Sequence, residues 1–444
     1  MPTISELRRD ARDIFDFALK AVDPAKLVRQ QLRLDGHRLE VAGRKYDLRG
    51  VEKIFLIAAG KAAAPMAETL EDVLGDRLGD GIVVVKYGYG LPFKKMRVIE
   101  AGHPVPDRKS TEAAGAVLKL ASRAGKKDLV ICLLSGGGSA LLCGLPEGIT
   151  IADLKSLTKL LLASGADIKE MNTVRKHVSV INGGRLAKTI YPAGIISIII
   201  SDVVGNELSM VASGPTLPIG STFKDAIDVL DKYNLTKRIP RGIYRYLKEQ
   251  LKEGRDEGPA ESAPCFKGCH SYMAGSNERA LEAAERRARK LGYNSIVLSS
   301  SITGEAREVA GVLVSMAKEV SAYGRPVRRP ACLLAGGETT VTIKGRGKGG
   351  RSQEFALAAA LQLDDCNHTV VLSGGTDGTD GPTDADGAMV DTNTRRRAEK
   401  RFQLDAADYL DRNDSYNFFK KAGGHLITGP TRTNVTDIMM ALIG

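Results

Sequence analysis

Tryptophan is absent from the 444-residue chain, and aromatic residues together make up only 5% of it. Cysteine is sparse: Cys132, Cys143, Cys265, Cys269, Cys332 and Cys366 are scattered, several within apolar runs such as VICLLSGGG, where a thiol acts as a small hydrophobe. That usage excludes a disulfide framework and points to a reducing compartment. No apolar run reaches the roughly 20 residues of a membrane span, the nearest being AGIISIIISDVV. No secretory leader is expected, because MPTISELRRDARDIFDFALK carries acids and an amphipathic period where a basic and then apolar segment would stand. A cytoplasmic protein is expected. Low-complexity tracts and fixed-period repeats are absent too, so the recurring SGG and AGG read as reuse of one structural solution.

What is present is enough to fold. Hydrophobic residues reach 43% and charged residues 26%, which fits neither a disordered nor a fibrous chain. A single core stops growing near roughly 250 to 300 residues, so two domains are expected. The net charge of +11 invites a nucleic-acid reading. The basic residues are nevertheless spread along helical stretches such as ERALEAAERRARKLG, with no nucleic-acid motif among them, and a basic cleft for small anions accounts for the same charge.

Short apolar runs ending in glycine and followed by helices recur along the chain, the pattern of parallel strands joined by crossover helices. VEKIFLIAAGK, GIVVVKYG, KDLVICLLSGGGSA and GIISIIISDVVGN are four such strands, with helices expected near 5–21, 61–74, 110–123 and 151–164. The fold class is therefore α/β, a Rossmann-like doubly wound parallel sheet with its ligand at the carboxyl ends of the strands. Between about 236 and 268 the chain turns charged and then Gly/Pro/Ser-rich (KEGRDEGPAESAP), which sets expected domains of 1–255 and 265–444. In the second, a helix over 277–291 precedes the strand NSIVLSS. ACLLAGG is followed almost at once by TTVTI, which predicts a hairpin or mixed sheet.

Several loops at strand ends carry groups suited to phosphate chemistry. In Ser135-Gly136-Gly137-Gly138-Ser139, successive glycines let backbone N–H groups converge on an anion, whereas a plain tight turn needs one glycine. Lys61 follows the strand IFLIAAG and can neutralise a transferring phosphoryl group, although Phe55 and the lack of a following Ser or Thr exclude a P-loop. Asp202 ends the strand IISIII and suits a general base or a magnesium ligand, and a turn-forming Asp is the plainer alternative. Asn206 and Glu207 follow it and are added to the phosphate or nucleotide set. Arg175, Lys176 and His177 adjoin one another, with Arg185 close behind; one of these could clamp a carboxylate, and an exposed basic face is the alternative. His103, in the rigid turn GHPVPD, either faces substrate or orders its loop.

Farther on, Gly345-Arg346-Gly347-Lys348-Gly349-Gly350-Arg351 contains G-x-G-x-x-G and so raises a dinucleotide reading. The acid expected after the next strand is missing, and Arg346, Lys348 and Arg351 suit nucleotide phosphates better than a ribose diol. Gly347 and Lys348 are accordingly assigned to nucleotide binding. Asp377, Asp380, Asp384 and Asp386 crowd SGGTDGTDGPTDADG, where magnesium or a solvated turn would relieve their repulsion; Asp377 and Asp380 are the candidate metal ligands. Cys265, Cys269 and His270 lack a second ligand pair and read as structural.

Taken in order, AAGKAAAPMA, GHPVPD, LLSGGGSALL, MNTVRKHVSVINGGRLA, SDVVGNELSMVASGPT, GGETTVTIKGRGKGGRSQEFAL and SGGTDGTDGPTDADGA resemble the glycerate kinase family that yields 2-phosphoglycerate, whose C-terminal region is called MOFRL. The resemblance spans nearly the whole chain. It implies ATP- and Mg²⁺-dependent phosphorylation of D-glycerate in a cleft between the domains, with Lys61, Asp202 and Arg351 matching the residues usually proposed for catalysis. Members were also labelled hydroxypyruvate reductases, so an NAD(P)H-dependent reductase is the alternative, followed by a non-catalytic nucleotide- or nucleic-acid-binding protein. The partners implied are glycerate and ATP, with a homodimer left open and neither nucleic acid nor membrane involved.

Overall fold

The computed structural model describes residues 1–254, 262–366 and 368–444. The chain divides into two compact units, one made of Pro24–Val203 and Glu207–Ala274, the other of Met1–Asp23, Val204–Asn206 and Gly275–Gly444. The Gly/Pro/Ser-rich stretch expected to mark the boundary lies largely outside the described residues.

The first unit is built on a six-stranded sheet of β1 (Ile54–Ala59), β2 (Leu78–Lys86), β3 (Met96–Ala101), β4 (Leu129–Ser135), β5 (Gly194–Ile200) and β6 (Cys269–Gly275). Its spatial order is β3-β2-β1-β4-β5-β6, and the pairs among the first five strands are parallel. Every residue of β1 and β4 is buried, as expected where helices cover both faces of a parallel sheet. One face carries a core in which Ile57, Val84, Val130 and Ile199 meet Ala114, Val117 and Leu186. The helices Ala63–Leu74, Arg108–Ala121 and Ile151–Ser164 lie within two residues of their expected ranges. A separate cluster of Leu157, Leu161, Val174, Phe223, Leu230 and Ile243 binds four helices together on the same unit. A small antiparallel meander, Leu32–Asp35, Arg38–Val41 and Arg44–Asp47, was not foreseen from the sequence.

The second unit has strands β7 (Asn294–Ile302), β8 (Ala331–Gly337), β9 (Thr369–Gly375), β10 (Gly387–Asp391), β11 (His425–Leu426) and β12 (Asp437–Ile443), in the order β7-β8-β12-β9-β10-β11. The sheet is mixed, but for a different reason than expected. The TTVTI segment forms no strand beyond a single bridge from Thr340 to Glu305, and the antiparallel character comes from the last strand, β12, inserting between β8 and β9. β-branched residues fit a half-buried pleat, and this segment has none to join: Ile343 is 79% exposed. The Glu305 carboxylate instead accepts from the Thr342 amide (3.0 Å) and hydroxyl (3.1 Å).

The first helix, α1 (Ile4–Ala21), departs from the expected 1–255 assignment and packs on this second sheet. Thr3 and Glu6 form its capping box, and Leu7, Ala11, Ile14, Phe15 and Ala18 form its buried stripe. Polar ties fix the register: Tyr293 donates to Asp10 (2.8 Å), Arg287 to Asp13 (2.9 Å), and Thr433 to the Val22 carbonyl (2.8 Å). Phe15 lies so close to β9 that a Cβ on Gly374 would come within 2.8 Å of its ring. Truncating a fully buried aromatic removes its transfer energy and leaves a cavity, so Phe15→Ala should destabilise this unit by about 3–5 kcal/mol. Urea unfolding read by amide exchange at Thr369–Gly375 checks this, and a loss below about 1 kcal/mol would mean that α1 is not part of this core.

Candidate active site

The strand order of the first sheet reverses between β1 and β4: the chain steps from β1 outward to β2 and β3 on one side, and from β4 to β5 and β6 on the other. In open α/β sheets a ligand crevice forms at the carboxyl ends of the strands where the order reverses. Here β1 runs into Gly60 and Lys61, and β4 into the Gly136–Ser139 loop.

The two strand ends are clipped together. Gly60 has φ +132°, and a Cβ there would sit 2.5 Å from the Ser135 carbonyl oxygen and collide with the Ser135 hydroxyl. This approach places the Lys61 amide on the Gly136 carbonyl (2.8 Å) and the Ala62 amide on Ser135 Oγ (3.0 Å). Ser135 is fully buried, so its hydroxyl holds the clip and does not face a ligand, in contrast to the expectation that it would bind phosphate. Lys61 and Ala62 remain in the turn, which is why the helix starts at Ala63.

Beyond the clip the loop opens. Gly137 has φ +86°, and a Cβ on it would lie 2.9 Å from the His103 ring and 3.4 Å from Lys61 Cγ, so both side chains flank the glycine. A Cβ on Gly138 would lie 2.5 Å from that of Ala212, and Ser139 Oγ is 2.7 Å from Ser213 Oγ. Among the described residues, no acceptor faces the amides of Gly137 and Gly138. Lys61, His103, Gly136–Ser139 and Ser213 therefore form one constellation; the parts played by His103 and Ser213 could be sensed from sequence only as polar residues in turns. Asp202 stands half-buried beyond the end of the neighbouring strand β5. Asn206 takes φ +58°, and Glu207 is exposed and accepts from the Ser209 hydroxyl (2.8 Å).

The helix α2 (Ile168–His177) starts at a capping box made by Asp167 and Glu170 and ends with three bases. The structure separates them. His177 is fully buried against Phe223, with Nε2 3.0 Å from the Ser221 carbonyl, and burial pushes its pKa down to about 4. It is a neutral core residue. Arg185 donates to the Lys176 (2.9 Å) and Asn182 (3.0 Å) carbonyls, satisfying the end of the helix. Lys176 is only 7% exposed, and its ammonium lies 3.9 Å from Met210 Sδ.

The glycines of the GRGKGG segment serve a different purpose. A Cβ on Gly347 would meet Asp414 Cβ at 2.5 Å, and one on Gly345, Gly349 or Gly350 would collide with Arg412, Ser415 or Asp380. The segment is a close-packed strap. Three of its amides are engaged as well: Gly345 donates to Asn413 (2.9 Å), Gly347 to the Arg412 carbonyl (3.0 Å) and Lys348 to Asp414 (2.9 Å). The Lys348 ammonium lies 4.4 Å over the Tyr416 ring. Gly347 and Lys348 thus offer no amide cradle for phosphate, and no strand leads into the segment as a dinucleotide fingerprint requires.

The helix α3 (Arg351–Gln362) follows the strap. Arg351 Nε donates to Asp437 (2.6 Å), its Nη2 to the other Asp437 oxygen (3.0 Å), and its Nη1 to Glu338. Burial alone would lower the guanidinium pKa, but the two carboxylates outweigh it and raise the pKa. Arg351 is therefore neutralised within its own unit, by partners 86 and 13 residues away that no local pattern announced. Asp380 caps α3, accepting from the amides of Ser352 (3.1 Å) and Gln353 (2.8 Å) and from the Gln353 side chain (3.0 Å); burial pushes its pKa up to about 7. Its carboxylate is engaged as a cap. Asp377 Oδ1 accepts from the Thr379 amide (3.2 Å), and Asp384 from the Tyr416 hydroxyl (2.8 Å). Among the described residues, no group of three or more His, Cys, Asp or Glu side chains could hold a metal ion.

Comparison with known proteins gives two family matches, a domain of unknown function (DUF4147) over residues 10–248 and the MOFRL family over residues 331–437. A glycerate 2-kinase of Pyrococcus horikoshii is 42% identical over 427 residues, covering 96% of this chain and 95% of its own. A D-glycerate 2-kinase of Thermotoga maritima is 39% identical over 440 residues, covering 98% of each chain. The crystal structure of a Thermotoga maritima glycerate kinase superposes with a TM-score of 0.86 at 38% identity, covering 99% of this chain and 100% of that one.

The clip makes a local prediction. Gly60→Ala forces a methyl group into the Ser135 hydroxyl at a φ that L-residues rarely adopt, and should cost about 2 kcal/mol or more. Urea denaturation measures the loss, and a variant as stable as the parent would show that the strand ends do not depend on this contact.

Proposed function

The chain belongs to the glycerate kinase family with a C-terminal MOFRL region, and on that premise we propose that it transfers the γ-phosphoryl group of ATP to the 2-hydroxyl of D-glycerate. The observation carrying this reading is the meeting of Lys61 with the open Gly137–Gly138 amides at the switch point of the first sheet. Phosphoryl transfer requires little covalent participation from the protein and depends on positioning and charge neutralisation. In this reading the Gly137 and Gly138 amides hold phosphate oxygens, with Ser139 at the rim. The Lys61 ammonium offsets charge on the moving phosphoryl group. Asp202 orients the acceptor hydroxyl and takes its proton, and Asn206 and Glu207, which follow it in the chain, are assigned to nucleotide binding.

Mg²⁺ would be held mainly by phosphate oxygens and water, with one carboxylate at most added by the protein. Asp377 is the better candidate, since Asp380 is engaged at the start of α3. Bound Mg²⁺ would screen the phosphate charge. Arg351 acts by position, tying the start of α3 to Asp437 and Glu338. No observation on the GRGKGG strap favours the reductase alternative, because no strand leads into it and the amides of Gly345, Gly347 and Lys348 are already engaged.

Purified protein given D-glycerate, ATP and Mg²⁺ should release ADP, with phosphorus NMR showing the new ester on C2. NADH consumption with hydroxypyruvate and no ADP release would overturn the proposal, and an ester on C3 would overturn its regiochemistry. Lys61→Ala should lower kcat by about 100-fold or more, the scale of one preorganised charge stabiliser, with the fold retained by circular dichroism. Near-normal turnover in that variant would remove Lys61 from the reaction.

A further inference from the structure

We infer that Arg175 and Lys176, at the carboxyl end of α2, form the binding site for the carboxylate of the hydroxy-acid acceptor. The inference rests on the reading above that such an acid is the substrate. Lys176 is 7% exposed, yet among the described residues no carboxylate pairs with it; its ammonium meets only the Met210 thioether at 3.9 Å, a weak acceptor. Asn172 aims its amide at the same sulfur, at 3.8 Å. Arg175 is half-buried and has no hydrogen bond or ion pair among the described residues. Burial lowers the pKa of both cations, and for Lys176 the charge of Glu207 only partly offsets it.

A desolvated cation is costly to maintain without an anion. The carbonyl end of α2 compensates by about 1 kcal/mol at most in ordinary geometry, and Arg185 already occupies part of it. Two partly buried cations are paired with carboxylates from within the chain: Arg307 with Glu354 at 2.9 Å, and Arg351 with Asp437 at 2.6 Å. Among the described residues no carboxylate forms an ion pair with Arg175 or Lys176, and an anion from outside them would supply one.

Position narrows its identity. One short segment, Leu208–Ser213, carries both Met210, which touches Lys176, and Ser213, which touches Ser139 of the glycine loop. The amides of Gly183 and Gly184 fix that segment from the other side, donating to the carbonyls of Ser213 (3.1 Å) and Gly214 (2.9 Å). Lys176 thus stands one segment away from the phosphate loop, matching a small acceptor with an anion at one end and a hydroxyl at the other. An Arg fork beside a Lys point charge fits a planar carboxylate. Phosphate is the other anion such a pair could take, and the experiment separates the two.

Lys176→Met keeps the aliphatic stem and removes the charge, and Arg175→Gln is the second variant should the first not fold. In the full-length protein either change should raise KM for D-glycerate by about 10- to 100-fold, leave KM for ATP within about twofold, and narrow the preference for glycerate over glyceramide by the same factor as the glycerate KM rises. Calorimetric titration of D-glycerate into protein without nucleotide should show the same loss of affinity. An unchanged glycerate KM, or a parallel rise in KM for ATP, would overturn the inference, the latter by assigning the cations to phosphate. Titration also separates this site from the reaction: Lys176-dependent glycerate binding in a protein that releases no ADP would uphold the site and sink the kinase reading. Turnover of glycerate with affinity indifferent to Lys176 would do the reverse.

Discussion

The close approach of Gly60 to Ser135 is the constraint on which the site depends. Two parallel strands at a point of order reversal diverge into separate crossovers, and only a residue without a side chain at the end of β1 lets the two strand ends share hydrogen bonds. From that contact follow the Lys61 amide on Gly136 and the Ala62 amide on Ser135, while the amides of the next two glycines stay unengaged among the described residues. Lys61 is thereby held beside Gly137 in a turn that has not yet become a helix.

Three groups of buried charge show the same energetic rule with different outcomes. Arg351 is neutralised by Asp437 and Glu338 and so fastens α3, and Asp380 is surrounded by N–H donors and so starts it. Arg175 and Lys176 have no such partner among the described residues. A paired buried charge organises structure, whereas an unpaired one calls for a ligand.

Much of the α/β layering was readable in the residues, because buried parallel strands are nearly continuous apolar runs and the helices between them carry clear caps and stripes. What escaped was non-local. The apolar run DIMMALI is evident as a sequence, but its insertion between β8 and β9 is decided by pairing across the chain, and α1 reveals an amphipathic face without revealing the distant sheet it covers. At the site, the two glycine-rich loops look alike as strings and differ in space. Glycine in Gly136–Gly138 leaves amides open, while in 345–350 it lets a strap lie against Arg412–Ser415 and Asp380. Composition cannot separate these uses, since each needs a missing Cβ. For the same reason the charge of Arg351 was legible and its neutralisation was not.

The central claim is that phosphate is held by the loop after β4 and not by the GRGKGG strap. Hydrogen–deuterium exchange of the full-length protein, with and without saturating ADP and Mg²⁺, tests it most directly. The account predicts new protection in peptides spanning Gly136–Leu142, with little change over Gly345–Gln353, where the amides of Gly345, Gly347, Lys348, Ser352 and Gln353 are already engaged. Protection confined to Gly345–Gln353, with Gly136–Leu142 exchanging as before, would contradict it.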